Sequence, residues 1–247
     1  KENHPDDYQI DTLDMLNPNW KDYDFSGYDT VFHVAGIAHQ KETKENAHLY
    51  YEVNRDLAIE TANISKESGV RQFIFMSSMS VYGLDCSDEL INLQTPTHPK
   101  TNYGKSKLEA EQEIMLLSDE TFDVCILRPP MVYGENSPGN LTRLFKIVRK
   151  VHVFPTIKNK RSSISIDKLS EEIEEVINHN IKGIILPQND EYMCTFEIVR
   201  NQMMKENVKI VYMSVFNPII YRLIGRVGLI TKCFGDLMYS YLDRGCE

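Results

Sequence analysis

The chain has 247 residues, with 36 Asp and Glu against 27 Lys and Arg and a formal net charge of -9. That length lets one large domain, or a main domain with a smaller lobe, bury a substantial core without disulfides or metal, and the acidic balance argues against nucleic acid as a partner, because the net charge gives no basic field to hold a phosphate backbone. Five cysteines (Cys86, Cys125, Cys194, Cys233 and Cys246) are scattered and odd in number; with no C-x-x-C spacing they argue against a disulfide framework or a zinc site and for a reducing cytoplasm.

The first residue is Lys1, with neither Met nor a charged-then-apolar leader, so this end reads as cut. From there short apolar runs alternate with helical periodicities. Strands are predicted at 8–11, 30–34, 72–76, 124–127 and 183–186, most of them continuously apolar, as in a parallel sheet covered on both faces. Tyr50, Val53, Leu57, Thr61 and Ile64 share one helical stripe that Gly69 closes. A second helix, about 103–117, turns Leu108, Ile114 and Leu117 inward and its acidic residues outward. A third, 169–181, gathers Leu169, Ile173, Val176 and Ile177, with Glu171, Glu172, Glu174 and Glu175 on a solvated face. This order predicts a doubly wound parallel α/β sheet.

From about Tyr133 the pattern loosens, which predicts a main domain over 1–132 and a smaller lobe over 133–247, some of whose strands return to the main sheet. The lobe is expected over the carboxyl ends of the strands, where such sheets bind ligands. The apolar stretch 208–230 is interrupted by Asn217, Pro218, Arg222 and Arg226. It therefore reads as an amphipathic packing helix and not as a membrane span.

Chemistry concentrates in Tyr103-Gly-Lys-Ser-Lys107, because Tyr and Lys at i and i+4 stand one turn apart on one helix face. A phenol of pKa about 10 is a poor base at neutral pH, and a neighbouring ammonium favours the phenolate. Upstream, the strand at 72–76 runs into Ser77-Ser78-Met79-Ser80, a hydroxyl cluster at a carboxyl end. Ser78 is placed to hydrogen-bond a substrate oxygen and hold it against the Tyr103 phenol. His33 sits in an apolar strand and is read as a backbone or cofactor-flanking residue. His39 and His48 lack carboxylate partners at metal spacing, so no metal site is expected. Tyr82 and Tyr133, each in a V-Y-G string, read as packing.

Together S-S-M-S-V-Y-G, Y-G-K-S-K and I-L-R-P-P-M-V-Y-G resemble the extended short-chain dehydrogenase/reductases, the NAD-dependent epimerase/dehydratase family, across most of the chain. Asp29-Thr-Val-Phe-His-Val-Ala-Gly36 and Val53-Asn54 are similar to two further motifs of that family. The resemblance implies a Rossmann-type sheet, NAD as cofactor, and Ser78, Tyr103 and Lys107 as the catalytic trio. It puts Asp14 and Met15 at the adenine, and His33, Ala35, Gly36, Asn54, Ser77 and Pro130 along the dinucleotide together with Tyr103 and Lys107. Around a UDP-sugar or other nucleotide-sugar substrate it puts Ser78, Met131, Asn140, Leu141 and Arg161, the last with a planar fork suited to a diphosphate. Met131 stands where hexose 4-epimerases carry a polar Asn. Met79-Ser80 replaces the Asp-Glu pair of the family's dehydratases, which disfavours elimination chemistry.

The function so implied is a UDP-hexose or UDP-N-acetylhexosamine 4-epimerase of surface polysaccharide synthesis, working as a homodimer. A nucleotide-sugar 4-keto reductase and a non-catalytic nucleotide-binding or regulatory protein remain as alternatives. Dinucleotide binding of this kind uses a strand, a Gly-rich turn and a helix N-terminus, and no such glycine string precedes Asp14. The first βα unit, roughly 30 residues, is therefore expected to be missing, and the 247-residue chain is expected to bind NAD weakly and to be inactive alone.

Overall fold

The computed structural model describes residues 8–38, 42–134 and 140–241, with Asn140 as backbone only. His39 and Cys246 lie outside the described residues, as does the Asn140 side chain. After a 3-10 turn (Trp20–Asp22) come β1 (Thr30–His33), α1 (Ala47–Tyr51), a π-helical turn (Glu52–Asp56), α2 (Leu57–Glu67), β2 (Gln72–Met76), a second 3-10 turn (Met79–Tyr82), α3 (Asn102–Met115), β3 (Asp123–Leu127) and β4 (Met131–Tyr133). Then follow α4 (Asn140–Val151), β5 (Val153–Pro155), β6 (Ser163–Ser165), α5 (Ile166–Asn178), β7 (Gly183–Ile185), α6 (Thr195–Lys205), β8 (Val211–Met213), α7 (Asn217–Leu223) and α8 (Gly228–Phe234).

Strands β1, β2, β3 and β7 form one parallel sheet in that order. Side chains alternate across a strand, so each strand feeds two cores. Phe73, Phe75, Val124 and Ile126 pack on one face against Ala58 and Ala62 of α2 and Ala110 and Ile114 of α3. Ile74, Cys125, Leu127 and Ile185 pack on the other against Val176, Ile173 and Ile177 of α5. Helices on both faces make the sheet doubly wound, as the alternation of elements predicts. Helix α2 ends as expected: Gly69 takes φ +84, and the Val70 amide reaches back to the Ser65 carbonyl at 3.1 Å.

Three expectations are corrected. Residues 8–11 are not a strand; β1 pairs with β2 alone among the described residues, and an extended segment without a ladder partner has nothing to satisfy its amides. The outer face of α3 is not uniformly acidic, because Glu111 is buried. The stretch 208–230 is no single helix but β8, α7 and part of α8: Pro218 sits in the first turn of α7, where its missing N–H costs nothing, and Gly225 at φ +80 breaks the chain between α7 and α8.

Beyond the sheet, β4 pairs with β6 and β5 with β8, both parallel. Val148, Phe154, Val199 and Met203 form a separate small core there, joined by Leu144, Phe196, Tyr212 and Phe234. No helix among the described residues is long and apolar enough to cross a membrane. Because Ile114 and Ile185 belong to cores on opposite faces of the sheet, Ile114→Ala and Ile185→Ala should each lower stability by about 2–5 kcal/mol. Their effects should add within about 0.5 kcal/mol in the double variant, as read by denaturant unfolding.

Candidate active site

Helix α3 carries Tyr103 and Lys107, and its first turn is held in three ways. Thr101 caps it, its hydroxyl accepting from the Gly104 amide at 3.1 Å. The next free amides, of Asn102 and Tyr103, donate to the Glu42 carboxylate at 3.2 and 3.1 Å, where the helix dipole favours negative charge. Gly104 lets the helix approach the turn after β2: a Cβ there would lie 2.7 Å from the Ser80 carbonyl oxygen.

That turn is pinned from the other side. Ser78 is extended, and its hydroxyl accepts from the Ser80 amide at 3.1 Å. The Ser77 amide donates to the Leu127 carbonyl at 2.8 Å and the Met79 amide to the Pro129 carbonyl at 2.9 Å, so the Ser77–Met79 backbone is bonded to the end of β3.

Tyr103, Lys107 and Glu111 follow one another at four-residue intervals on α3. Burial raises the Tyr103 phenol above its usual pKa, and a hydrogen bond with Ser78 partly offsets this. Lys107 is buried; its ammonium donates to the Met76 carbonyl at 2.8 Å and lies 4.5 Å from the centre of the Phe75 ring. Burial pulls its pKa from 10.5 to about 8, with the Glu111 carboxylate opposing the shift. The expectation that Lys107 draws the Tyr103 pKa down is thus not met, because desolvation dominates the phenol.

Glu111 forms a buried ion pair with Arg128, whose Nη2 donates to Glu111 Oε2 at 2.6 Å and whose Nε donates at 3.1 Å. Ser77 also donates to Glu111. Tyr82 accepts from Arg128 Nη1 at 3.0 Å, and the Tyr239 hydroxyl donates to the Arg128 carbonyl at 2.8 Å. Tyr82 therefore does more than pack.

The turn after β1 completes the cluster. Asn54, buried in the π-helical turn, accepts from the Ile37 amide at 2.7 Å and donates to the Ile37 carbonyl at 3.0 Å. A Cβ on Gly36 would come within 2.8 Å of Asn54 Oδ1 and 3.3 Å of Lys107 Nζ. His33 is buried between the Phe73 and Phe75 rings, and its Nε2 has no hydrogen-bond partner; burial and the Lys107 charge hold the imidazole near pKa 3 and hence neutral.

Of the residues singled out from sequence, Ser77, Ser78, Tyr103, Lys107, Gly36, Asn54 and His33 converge, with Ala35 and Pro130 in the adjoining strand ends. Asp14 lies in an exposed turn, its carboxylate accepting from the Leu16 amide at 2.9 Å with Met15 between them. Met131 opens β4 opposite Ser163, and Leu141 is in the first turn of α4. Arg161 Nη1 donates to the carbonyls of Gly235 at 2.7 Å and Asp85 at 3.3 Å. Glu42, Glu111 and Arg128 were not singled out. For Glu111 the i+4 spacing from Lys107 was the available signal; Glu42 had none.

The model of the NAD dependent epimerase/dehydratase family matches residues 1–167. The chain belongs to that family. UDP-glucose 4-epimerase of Vibrio cholerae is 34% identical over 182 residues, 69% of this chain and 55% of its own length. An N-acetyl-alpha-D-glucosaminyl-diphospho-ditrans,octacis-undecaprenol 4-epimerase of Escherichia coli O157:H7 is 31% identical over 54% of this chain and 40% of its own. UDP-glucuronic acid 4-epimerase of Bacillus cereus, solved with NAD, shares the fold at TM-score 0.65 and 22% identity, over 81% of this chain and 67% of that one. The chain spans about half the length of the curated relatives it matches.

The unfolded lysine holds its proton to about 10.5 and folded Lys107 only to about 8. Between those values the unfolded state binds more protons, so stability rises with pH. Lys107 should contribute a rise of about 3 kcal/mol across that window. Denaturant unfolding of Lys107→Met from pH 7 to 11 should show a correspondingly flatter profile.

Proposed function

We propose that this protein is a nucleotide-sugar 4-epimerase acting on a UDP-hexose or UDP-N-acetylhexosamine, with NAD as cofactor, in surface polysaccharide synthesis. The observation that carries this reading is the meeting of Ser78 and Tyr103 at the carboxyl end of β2, with Lys107 one turn further along the same helix. The similarity to epimerases of UDP-glucose and of a lipid-linked N-acetylglucosamine supports the same chemistry.

The residues present fit a dinucleotide's nicotinamide half. Gly36 keeps open a turn that a Cβ would fill, beside Lys107 and Asn54, and the buried, unpartnered His33 Nε2 leaves a polar atom at the end of β1. Lys107 and Tyr103 would hold the ribose, with Gly36 and Ala35 leaving room for the dinucleotide beside them. When bound, the cofactor supplies hydride exchange at the sugar carbon.

The chain's own part is proton handling at the sugar oxygen. Tyr103 rests protonated, because desolvation raises a phenol pKa that already lies above neutral, and the phenol is the form that gives a proton to a carbonyl oxygen. Giving that proton leaves a phenolate with the Lys107 ammonium one turn away, and in the opposite direction that phenolate takes the proton of the sugar hydroxyl. Ser78 donates a hydrogen bond to the same oxygen and fixes it against the phenol. Residues 1–132 serve mainly the cofactor in this reading and 133–247 the nucleotide sugar, with Asn140, Leu141 and Arg161 on the sugar side, joined there by Met131 and Ser78 of the first part.

The test is turnover of UDP-glucose and UDP-N-acetylglucosamine by the full-length protein. Tyr103→Phe should lower kcat by about 10²–10⁴-fold while the Kd for the nucleotide sugar, measured by calorimetry, changes little. Stoichiometric consumption of reduced cofactor during turnover would instead establish the 4-keto reductase.

A further inference from the structure

The negative charge of this chain is not evenly spread. Residues 140–166 and 207–235 hold eleven of its 27 Lys and Arg and none of its 36 Asp and Glu. These two segments also meet in space. Helices α4 and α8 flank an apolar groove of about 190 Å³ lined by Leu144, Ile147, Val151, Phe154, Leu229 and Phe234. Strands β5 and β8 pair so that Val153 faces Val211, and α7 packs on α8.

The apolar side chains of this face are open to solvent. Ile147 is 51% exposed, Val151 57%, Val211 59%, Ile219 60% and Leu229 68%, a density of exposed large aliphatics that marks an interaction surface. Each of the three helices then repeats one pattern. Ile147 is followed at i+3 by Lys150, Ile219 by Arg222 and Leu229 by Lys232, pairs that share a helix face. All three cations are exposed, Lys232 with a loose 3.7 Å contact to Asp85. On α4, at 100° per residue, Val148 faces the core, Ile147 and Val151 come next around the helix, and Arg143, Lys146 and Lys150 follow. Core, exposed aliphatic and cation thus run in sequence around α4, the arrangement of a helix lying in a membrane interface.

We infer that this face docks on an anionic lipid surface. Long basic side chains lie along the apolar band and carry their charge outward to headgroups, and two of the acids nearest this face, Glu206 and Asp85, are engaged by Arg149 and Lys232, which lessens the repulsion that the rest of this acidic chain would meet there. Docking of this kind is peripheral, since no described helix is long and apolar enough to span.

Co-sedimentation with vesicles tests this, using phosphatidylcholine alone and phosphatidylcholine with about a third phosphatidylglycerol. The protein should bind the anionic vesicles, bind the neutral ones weakly or not at all, and lose affinity as salt rises. K146E/K150E/R222E should weaken binding at least tenfold, and I219D/L229D by a similar factor. All five positions are exposed, so both variants should keep the wild-type unfolding midpoint. Equal sedimentation with both vesicle types, or binding untouched by either variant, overturns the inference. So does a dimer in size-exclusion chromatography that I219D/L229D converts to monomer without any vesicle binding by the parent, which would assign the face to a second copy of the chain.

Discussion

The buried pair of Glu111 and Arg128 is the contact on which the site's geometry depends. Glu111 belongs to α3 and Arg128 to the end of β3, so the pair joins the helix bearing Tyr103 and Lys107 to the strand ends that carry Ser77 and Ser78. A buried ion pair is weak evidence for stability, because desolvating both charges offsets most of their attraction. Its distinctive feature here is the number of partners. Ser77 bonds the carboxylate, Tyr82 the guanidinium and the Tyr239 hydroxyl the Arg128 main-chain carbonyl, so the pair sits in a directional network that ties α3 to the sheet.

Lys107 makes sense in that frame. Its ammonium is buried one turn from Glu111, close enough for the carboxylate to oppose its loss of charge, while its hydrogen bond goes to the Met76 carbonyl. The Glu111 carboxylate is paired with Arg128 and acts on Lys107 through space. The Ser78 turn is locked independently through β3, which separates the positioning of the serine from that of the helix.

Periodicity made the sheet legible in the sequence, because Phe73, Ile74, Phe75 and their counterparts on β3 must be apolar on both faces. The edge at β1 was not legible from residues 8–11, since strand formation there depends on a partner and not on local pattern. Within the site, Tyr103 and Lys107 were found because their spacing is a local property of a helix. Glu111 shows the limit of that logic. The acidic residues of α3 read as an outer face, yet Glu111 stands about 200° around the helix from Glu109 and Glu113 and one turn from Lys107, and its partner Arg128 is distant in sequence. Glu42 is harder still: its carboxylate caps a helix that starts 60 residues away, and nothing local to it points there.

Electrostatics was the least legible layer. A Tyr and a Lys at i and i+4 imply a lowered phenol pKa in water, yet the same packing that brings them together also desolvates both, raising one and lowering the other. Each of these shifts bears on the proposed proton transfer. A protonated Tyr103 is ready to donate, and Lys107 near pKa 8 sits close to the point where its charge responds to its surroundings. Charge created on the phenol during proton transfer would restore the ammonium's preference for its proton. Spacing alone could reveal the pair but not the desolvation that governs each of its members.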